Sequence, residues 1–332
     1  MKNKSDRKDE SPELFYAKIL LFGEYSVIFD SMALLIPFSH FKAGFSFINR
    51  IKYSDHDFAL RSNYMLMEYC SWLEGINNRG DLEGYFNIND FKRDLDEGMF
   101  LESCIPQGYG LGSSGALCAA VYSRYALRRI NNNFSIGPGD LVKLKRIFAA
   151  MESRFHGTSS GMDPLNCYLR RPVLLEPGDS IRIVGVPEYD SEKGAAIFII
   201  DTGSSGKTEP MVKLFLEKSR EDKFMDMINT IMIPAVNKCI NSMIKSELPH
   251  FLPNLKTLSA FQLEYMKDMI PQDFLMVWES GLISDDFYLK LCGSGGGGYI
   301  LGFTRDMENT AKILGGKMIE VLPIYKSIKK SG

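Results

Sequence analysis

The 332-residue sequence has little nitrogen or sulfur chemistry with which to hold a metal. Its four histidines (His40, His56, His156, His250) show no ligand spacing, and its six cysteines (Cys70, Cys104, Cys118, Cys167, Cys239, Cys292) form no Cys-x-x-Cys pair. That argues against a metal cluster or disulfide framework and for buried or free thiols in a reducing compartment. Charge is nearly balanced: 39 basic and 41 acidic residues leave −2, too little to draw nucleic acid or an anionic membrane in bulk. No uninterrupted apolar run approaches the roughly 18 residues of a membrane helix. The polar opening MKNKSDRKDESPE lacks the apolar core of a secretory signal. These absences make the cytoplasm the expected location and a small molecule the expected partner. An anionic ligand would have to be gripped locally, at loops and helix ends.

What is present reads as a mixed α+β chain. Apolar residues are 45% and charged residues 24% of the total, an ordinary balance for a globular protein. FYAKILLFGEYSVIF (15–29) predicts two strands meeting at a tight turn near Gly23, and LESCIP (101–106) a short strand stopped by proline. Leu117, Val121 and Tyr125 recur at helical spacing, and Leu144, Ile147, Phe148, Met151 and Phe155 lie along one apolar face that Gly157 ends. RPVLLEPGDSIRIVG (171–185) predicts strand, turn, strand, and AAIFIID (195–201) a buried strand. Met227–Met243 predicts a helix with a kink at Pro234. KLCGSGGGGYILGF (290–303) predicts strand, glycine turn, strand. Hairpin-like pairs among helices favour α+β over a doubly wound sheet. A boundary is expected near residue 185, giving domains 1–185 and 186–332.

Three glycine-rich segments compete for a phosphate. PQGYGLGSSGA (106–116) lies between a strand and a helix: glycines let the backbone approach an anion, and the helix start offers free N–H groups. Ser113 and Ser114 can cap that helix, touch phosphate or ligate Mg²⁺. Three glycines in five residues exceed what a capped turn needs. The same stretch contains Gly110-x-Gly112-x-x-Gly115, but the dinucleotide fingerprint wants an acid about 20 positions on, where this chain has Asn131, Asn132 and Asn133. DTGSSGKT (201–208) misses the G-x-x-x-x-G-K-[ST] loop by one residue, Asp201 standing for the first glycine, and reads better as a polar loop entering a helix. GSGGGG (293–298), flanked by apolar residues, reads as a hairpin bend with or without a ligand.

Three ordered motifs, AKILLFGEYSV (17–27), PQGYGLGSSGA (106–116) and KLCGSGGGGYILGF (290–303), resemble those of the galactokinase, homoserine kinase, mevalonate kinase and phosphomevalonate kinase (GHMP) superfamily. HGTSSGMDP (156–164) looks like the signature of its mevalonate kinase branch. The resemblance implies a two-domain α+β fold, an N-terminal domain like ribosomal protein S5 domain 2 and a ferredoxin-like C-terminal domain. It implies an ATP-dependent phosphotransferase acting on an alcohol, mevalonate first, in isoprenoid biosynthesis. Pro106, Gly108, Gly110, Leu111, Gly112, Ser113, Ser114 and Gly115 would hold ATP, and Ser114 with Glu152 would hold Mg²⁺. Asp163 would be the catalytic carboxylate with Lys18 its cationic neighbour. Glu24, Tyr25, Thr208, Gly295 and Gly296 would contact substrate. Without the resemblance, Glu152 reads as a solvated carboxylate, Lys18 as a strand-surface charge and His156 as a cap or packing residue.

The sequence departs from the family pattern in four places. Tyr16–Ala17 replaces a usual Pro-Gly, Tyr25 stands for a histidine, Ser159 replaces a usual proline, and Pro164 follows Asp163, which biases Asp163 toward extended backbone. A sugar, homoserine or phosphomevalonate acceptor remains open, as do a non-catalytic nucleotide-binding protein of the same fold, a nicotinamide enzyme using Gly110–Gly115, and a homodimer.

Overall fold

The structure is a computed structural model that describes residues 13–48, 55–79, 82, 84–133, 135–186, 194–315 and 321–326. The polar opening, apart from Glu13, lies outside the described residues, as does 187–193, just past the expected boundary. The elements in order are β1 (Phe15–Phe22), β2 (Ala33–Phe47), α1 (His56–Asn77), α2 (Ile88–Asp96), β3 (Met99–Ser103), α3 (Ser113–Tyr125), α4 (Pro138–His156) and α5 (Met162–Leu169). There follow β4 (Val173–Glu176), β5 (Ser180–Ile183), β6 (Ala196–Asp201), α6 (Thr208–Lys218), α7 (Asp222–Met227), α8 (Ile233–Ile244), α9 (Leu248–Tyr265), α10 (Leu275–Ser284), β7 (Phe287–Leu291), β8 (Tyr299–Thr304), α11 (Met307–Gly315) and β9 (Val321–Lys326). No helix among the described residues is long and apolar enough to cross a membrane.

The chain divides into two units. The first takes the residues up to Ala17, Ser39–Ile105 and Gly112–Arg170; the second takes Lys18–Phe38, Pro106–Leu111 and everything from Arg171 on. In the first unit the C-terminal part of β2 pairs antiparallel with β3, Ala43 opposite Ser103 through Phe47 opposite Met99. Tyr122 of α3, Phe148 of α4 and Tyr168 of α5 meet with ring centroids 5.0–5.7 Å apart, so three helices share one aromatic centre. Asn63 of α1 donates to the carbonyls of Leu95 and Met99, tying α1 to the entry of β3.

In the second unit the start of β2 pairs with β4, and β4 with β5, both antiparallel. A further sheet runs β7-β8-β6-β9, every pair antiparallel. β7 packs against α9 and α10, and Phe22 of β1, Phe251 of α9 and Phe303 of β8 pack together with centroids 5.6–6.0 Å apart.

Most of the predicted elements form, with three differences. After β1 the chain does not turn straight into a strand: Ser26–Phe29 is a 3₁₀ turn, entered through Tyr25 at φ 63°, and β2 starts only at Ala33. Gly23 lies against the start of β2, where a Cβ on it would be 2.5 Å from the Cβ of Ala33. The irregularity before Pro234 is a π-helical turn, Ile228–Met232, followed by α8 with the proline in its first turn. Asp163 is helical rather than extended: it lies in the first turn of α5, where Pro164 is tolerated because its missing N–H has no partner within the helix.

Candidate active site

In the first unit, α3 begins at Ser113 with Gly112 as its N-cap in the left-handed region (φ 75°), and no side chain caps it. A side chain at Gly112 would be strained there, and the helix presents its first-turn amides without competition from a capping residue. The Ser114 hydroxyl donates to Glu152 Oε1 at 2.9 Å. Glu152 lies on α4 and is only 4% exposed, so it is not a solvated carboxylate. Its second oxygen accepts from the Ser159 hydroxyl at 2.5 Å.

Gly115 brings the next residue group into the same place. A Cβ on Gly115 would sit 2.9 Å from the carbonyl carbon of Asp163 and 3.3 Å from its Cβ. Only glycine lets α3 and α5 pack this closely, and the consequence is that Asp163 stands against the first turn of α3. The loop end Gly112–Gly115, Glu152 and Asp163, far apart in sequence, are therefore neighbours within one unit. The first turn of α5 is positioned in turn by Gly161, its N-cap at φ 72°, where a Cβ would fall 2.6 Å from the Ala149 nitrogen of α4.

His156 ends α4, with Gly157 as C-cap at φ 71°. Its Nε2 lies 3.2 Å from Ser114 Oγ, so it does more than cap or pack. Ser114 has one proton and gives it to Glu152, which requires His156 to donate from Nε2. Position was the overlooked signal: His156 is four residues after Glu152 and so shares its helix face. Beneath the carboxylate, burial pushes the Cys118 thiol and the Tyr69 phenol up, with Glu152 adding to both shifts. Burial thus keeps these two groups beneath Glu152 protonated. The Ser114 hydroxyl and the buried Glu152 carboxylate are hard oxygen donors of the type that Mg²⁺ takes, so this donor set fits that ion.

The second unit holds the remaining candidates. Gly108, Gly110 and Leu111 belong to the same loop: Gly206 N–H donates to Gly108 O at 3.0 Å, Lys18 N–H donates to Leu111 O at 3.0 Å, and a Cβ on Gly110 would meet Cys292 O at 3.4 Å. The Tyr109 ring packs at a tilt against Tyr299, with centroids 5.0 Å apart. Pro106, which opens the loop, is half-buried. Lys18 is 5% exposed and so not a strand-surface charge.

Tyr25 is buried, its ring 4.5 Å from that of Phe215, and its hydroxyl donates to Ser294 O at 2.5 Å. Burial, helped by the Glu24 charge, pushes this phenol up, which keeps it a donor. The Ser294 hydroxyl lies 3.3 Å from Thr208 Oγ1, so Tyr25 and Thr208 converge on Ser294. Gly295 and Gly296 are backed against Met269: Gly296 N–H donates to Met269 O at 2.7 Å. Glu24 is 4% exposed and accepts from Lys290 Nζ at 2.5 Å. Burial raises its pKa, and Lys290 opposes the rise. Lys290, itself 0% exposed, was not singled out from the sequence; a lone lysine within the apolar strand FYLKL was the available signal.

The competing glycine readings meet specific obstacles. The loop 201–208 spends three amides on the protein itself: Gly203 N–H on Asp201 Oδ1 at 2.8 Å, Thr202 N–H on Gly298 O at 3.0 Å, and Gly206 N–H on Gly108 O at 3.0 Å. The dinucleotide fingerprint requires a parallel βαβ unit, whereas β3, which precedes Gly110–Gly115, pairs antiparallel with β2.

Comparison with known proteins extends these observations. Residues 82–171 match the model of the GHMP kinases N terminal domain. The mevalonate kinase of Pyrococcus abyssi is 24% identical over 340 residues, spanning 95% of both chains. Among solved structures, L. major mevalonate kinase in complex with R-mevalonate superposes with a TM-score of 0.65 at 14% identity, covering 98% of this chain and 99% of that one. Streptococcus pneumoniae phosphomevalonate kinase, in complex with phosphomevalonate and AMPPNP, gives 0.59 at 15% identity over 96% and 99% of the two chains. Residues 82–171 thus match the GHMP kinase N-terminal domain, and the chain over its length is similar to mevalonate kinases and has the α+β fold of GHMP kinases.

Proposed function

We propose that this GHMP kinase transfers the terminal phosphoryl group of ATP to the 5-hydroxyl of mevalonate. One observation carries the reading: the uncapped first turn of α3 places Ser114 on the buried Glu152 and Gly115 against Asp163. Phosphoryl transfer needs little covalent help from protein; it needs phosphate held, charge neutralised and the nucleophile positioned. The backbone of 108–115 and the start of α3 hold phosphate oxygens through N–H groups. Ser114 and Glu152 hold Mg²⁺, which neutralises charge on the phosphate oxygens when bound.

Asp163 accepts the proton of the acceptor hydroxyl as its oxygen bonds to the terminal phosphorus, while the bond from that phosphorus to the bridging oxygen breaks and ADP leaves. In the second unit the proposal gives Lys18 the cationic role and Glu24, Tyr25, Thr208, Gly295 and Gly296 the acceptor contacts. The archaeal relatives named mevalonate kinase, aligned over 95% of the chain, support mevalonate over the other acceptors.

The test is phosphorylation by purified protein with Mg–ATP, read by mass spectrometry over mevalonate, phosphomevalonate, homoserine and galactose. Phosphomevalonate formed from mevalonate, faster than any other product, is expected. Turnover confined to another acceptor moves the chain to a different branch of the superfamily, and ATP binding without any product overturns the assignment.

A further inference from the structure

We infer that Ser159 is a positioning residue that couples the metal-holding carboxylate Glu152 to the helix carrying Asp163; the inference rests on the metal role proposed above for Ser114 and Glu152. The Ser159 hydroxyl makes two bonds of opposite sense. It donates to Glu152 Oε2 at 2.5 Å and accepts from the Gly161 N–H at 3.0 Å. Gly161 is the N-cap of α5, and Asp163 follows two residues later. One side chain therefore spans from the α4 carboxylate to the α5 N-cap.

The bond to Glu152 divides the carboxylate's work. Oε1 accepts from Ser114 and Oε2 from Ser159, so the carboxylate plane is held from both sides before any ligand arrives. Glu152 is 4% exposed, which leaves water little part in orienting it. An ionised acceptor strengthens such bonds, and groups that orient a metal ligand tune affinity without touching the ion. The bond from Gly161 does the matching task on α5. Gly161 sits at φ 72° with no room for a Cβ against α4, and the Ser159 acceptor fixes the amide that opens the first turn. An alanine here would have neither the hydroxyl donor nor the acceptor. This chain therefore holds Glu152 by a contact that its own residue choice creates.

Water-proton relaxation enhancement with Mn²⁺ and the non-hydrolysable analogue AMPPNP reads the protein–metal–nucleotide complex without turnover. Ser159→Ala is expected to weaken Mn²⁺–AMPPNP binding by about tenfold or more, the lower end for loss of an outer partner of a metal ligand. Ser159→Thr, which retains the hydroxyl, is expected to bind within about threefold of the parent. The mevalonate assay should show the same order in kcat, with KM for mevalonate little changed. Parent-like binding by Ser159→Ala, while Glu152→Gln loses it, overturns the Ser159 role and leaves the metal role of Glu152 standing. If Glu152→Gln also binds like the parent, the metal reading itself fails. A general loss of fold would appear as reduced melting temperature in Ser159→Ala and equal weakening in Ser159→Thr, and that pattern too overturns the positioning role.

Discussion

Asp163 shows how much of a residue's role depends on its surroundings. By itself it is one of 41 acidic residues. What separates it is the packing of its backbone against Gly115, which sets a carboxylate beside the first turn of α3, where the proposed phosphate-binding loop ends. Replacing it with asparagine preserves shape and removes the proton acceptor. Asp163→Asn is expected to lower kcat for mevalonate by about 10²–10⁴-fold, with AMPPNP affinity little changed. Steady-state kinetics with nucleotide titration checks both parts, and full activity in the variant would exclude Asp163 as the base. Lys18 and Glu152 carried no such distinction in the sequence outside the motif resemblance, since a lysine on a strand and a glutamate on a helix are usually solvated. Their burial, at 5% and 4%, comes from contacts that local sequence does not encode.

Among the elements, the α3–α5 contact is the feature most open to a direct test. A methyl at Gly115 meets main chain, which cannot move aside as a flexible side chain would. Gly115→Ala should force the two helices apart, cost about 1–3 kcal/mol of stability and lower kcat more than it affects binding of mevalonate. Gly139, in the first turn of α4, is the control because nothing lies within 4 Å of a Cβ there. Gly139→Ala is expected to be neutral or to gain about 0.5–1 kcal/mol from the better helix former. Urea unfolding of the two variants reads the difference, and equal stability would show that the α3–α5 approach has slack.

At this scale the sequence was largely legible. The apolar stripe of α4, the paired strands β4 and β5 and the glycine bend between β7 and β8 follow from periodicity and turn residues. The 3₁₀ turn at Ser26–Phe29 was missed because it depends on Tyr25 at φ 63° and on Gly23 lying against Ala33. Phe155, assigned to the same stripe, is instead 38% exposed and stacks on Tyr69 with centroids 5.4 Å apart.

For the molecule as a whole, the Glu24–Lys290 pair is a long-range buried contact at the candidate site in the second unit, joining residues 266 positions apart. Both partners are buried, so removing one leaves an uncompensated charge. Lys290→Met is expected to cost about 3–5 kcal/mol at neutral pH, and Glu24→Gln with Lys290→Met less than that. Burial already raises the Glu24 pKa against the opposing lysine, and losing the lysine raises it further. A carboxyl whose folded pKa is raised binds more protons folded than unfolded, so stability is retained at low pH and lost as pH rises through the folded pKa. The deficit of Lys290→Met should therefore shrink as pH is lowered from neutral toward the ordinary carboxyl value of 4.5. Denaturant unfolding across that range checks the sign, and a deficit that grows on acidification would refute it.

The sequence alone determined the class of structure: alternating and helical periodicities define strands and helices locally, and a glycine-rich loop before a helix marks, within its own few residues, where a phosphate site is proposed. Tertiary structure alone decided which charges are buried and what they meet. Ser114 with Glu152 and His156, Ser159 bridging Glu152 to Gly161, and Lys290 with Glu24 are products of packing between segments. Local periodicity reports which face of an element is apolar. It carries no information on which distant element will cover that face, and the environment of every ionisable group depends on that covering.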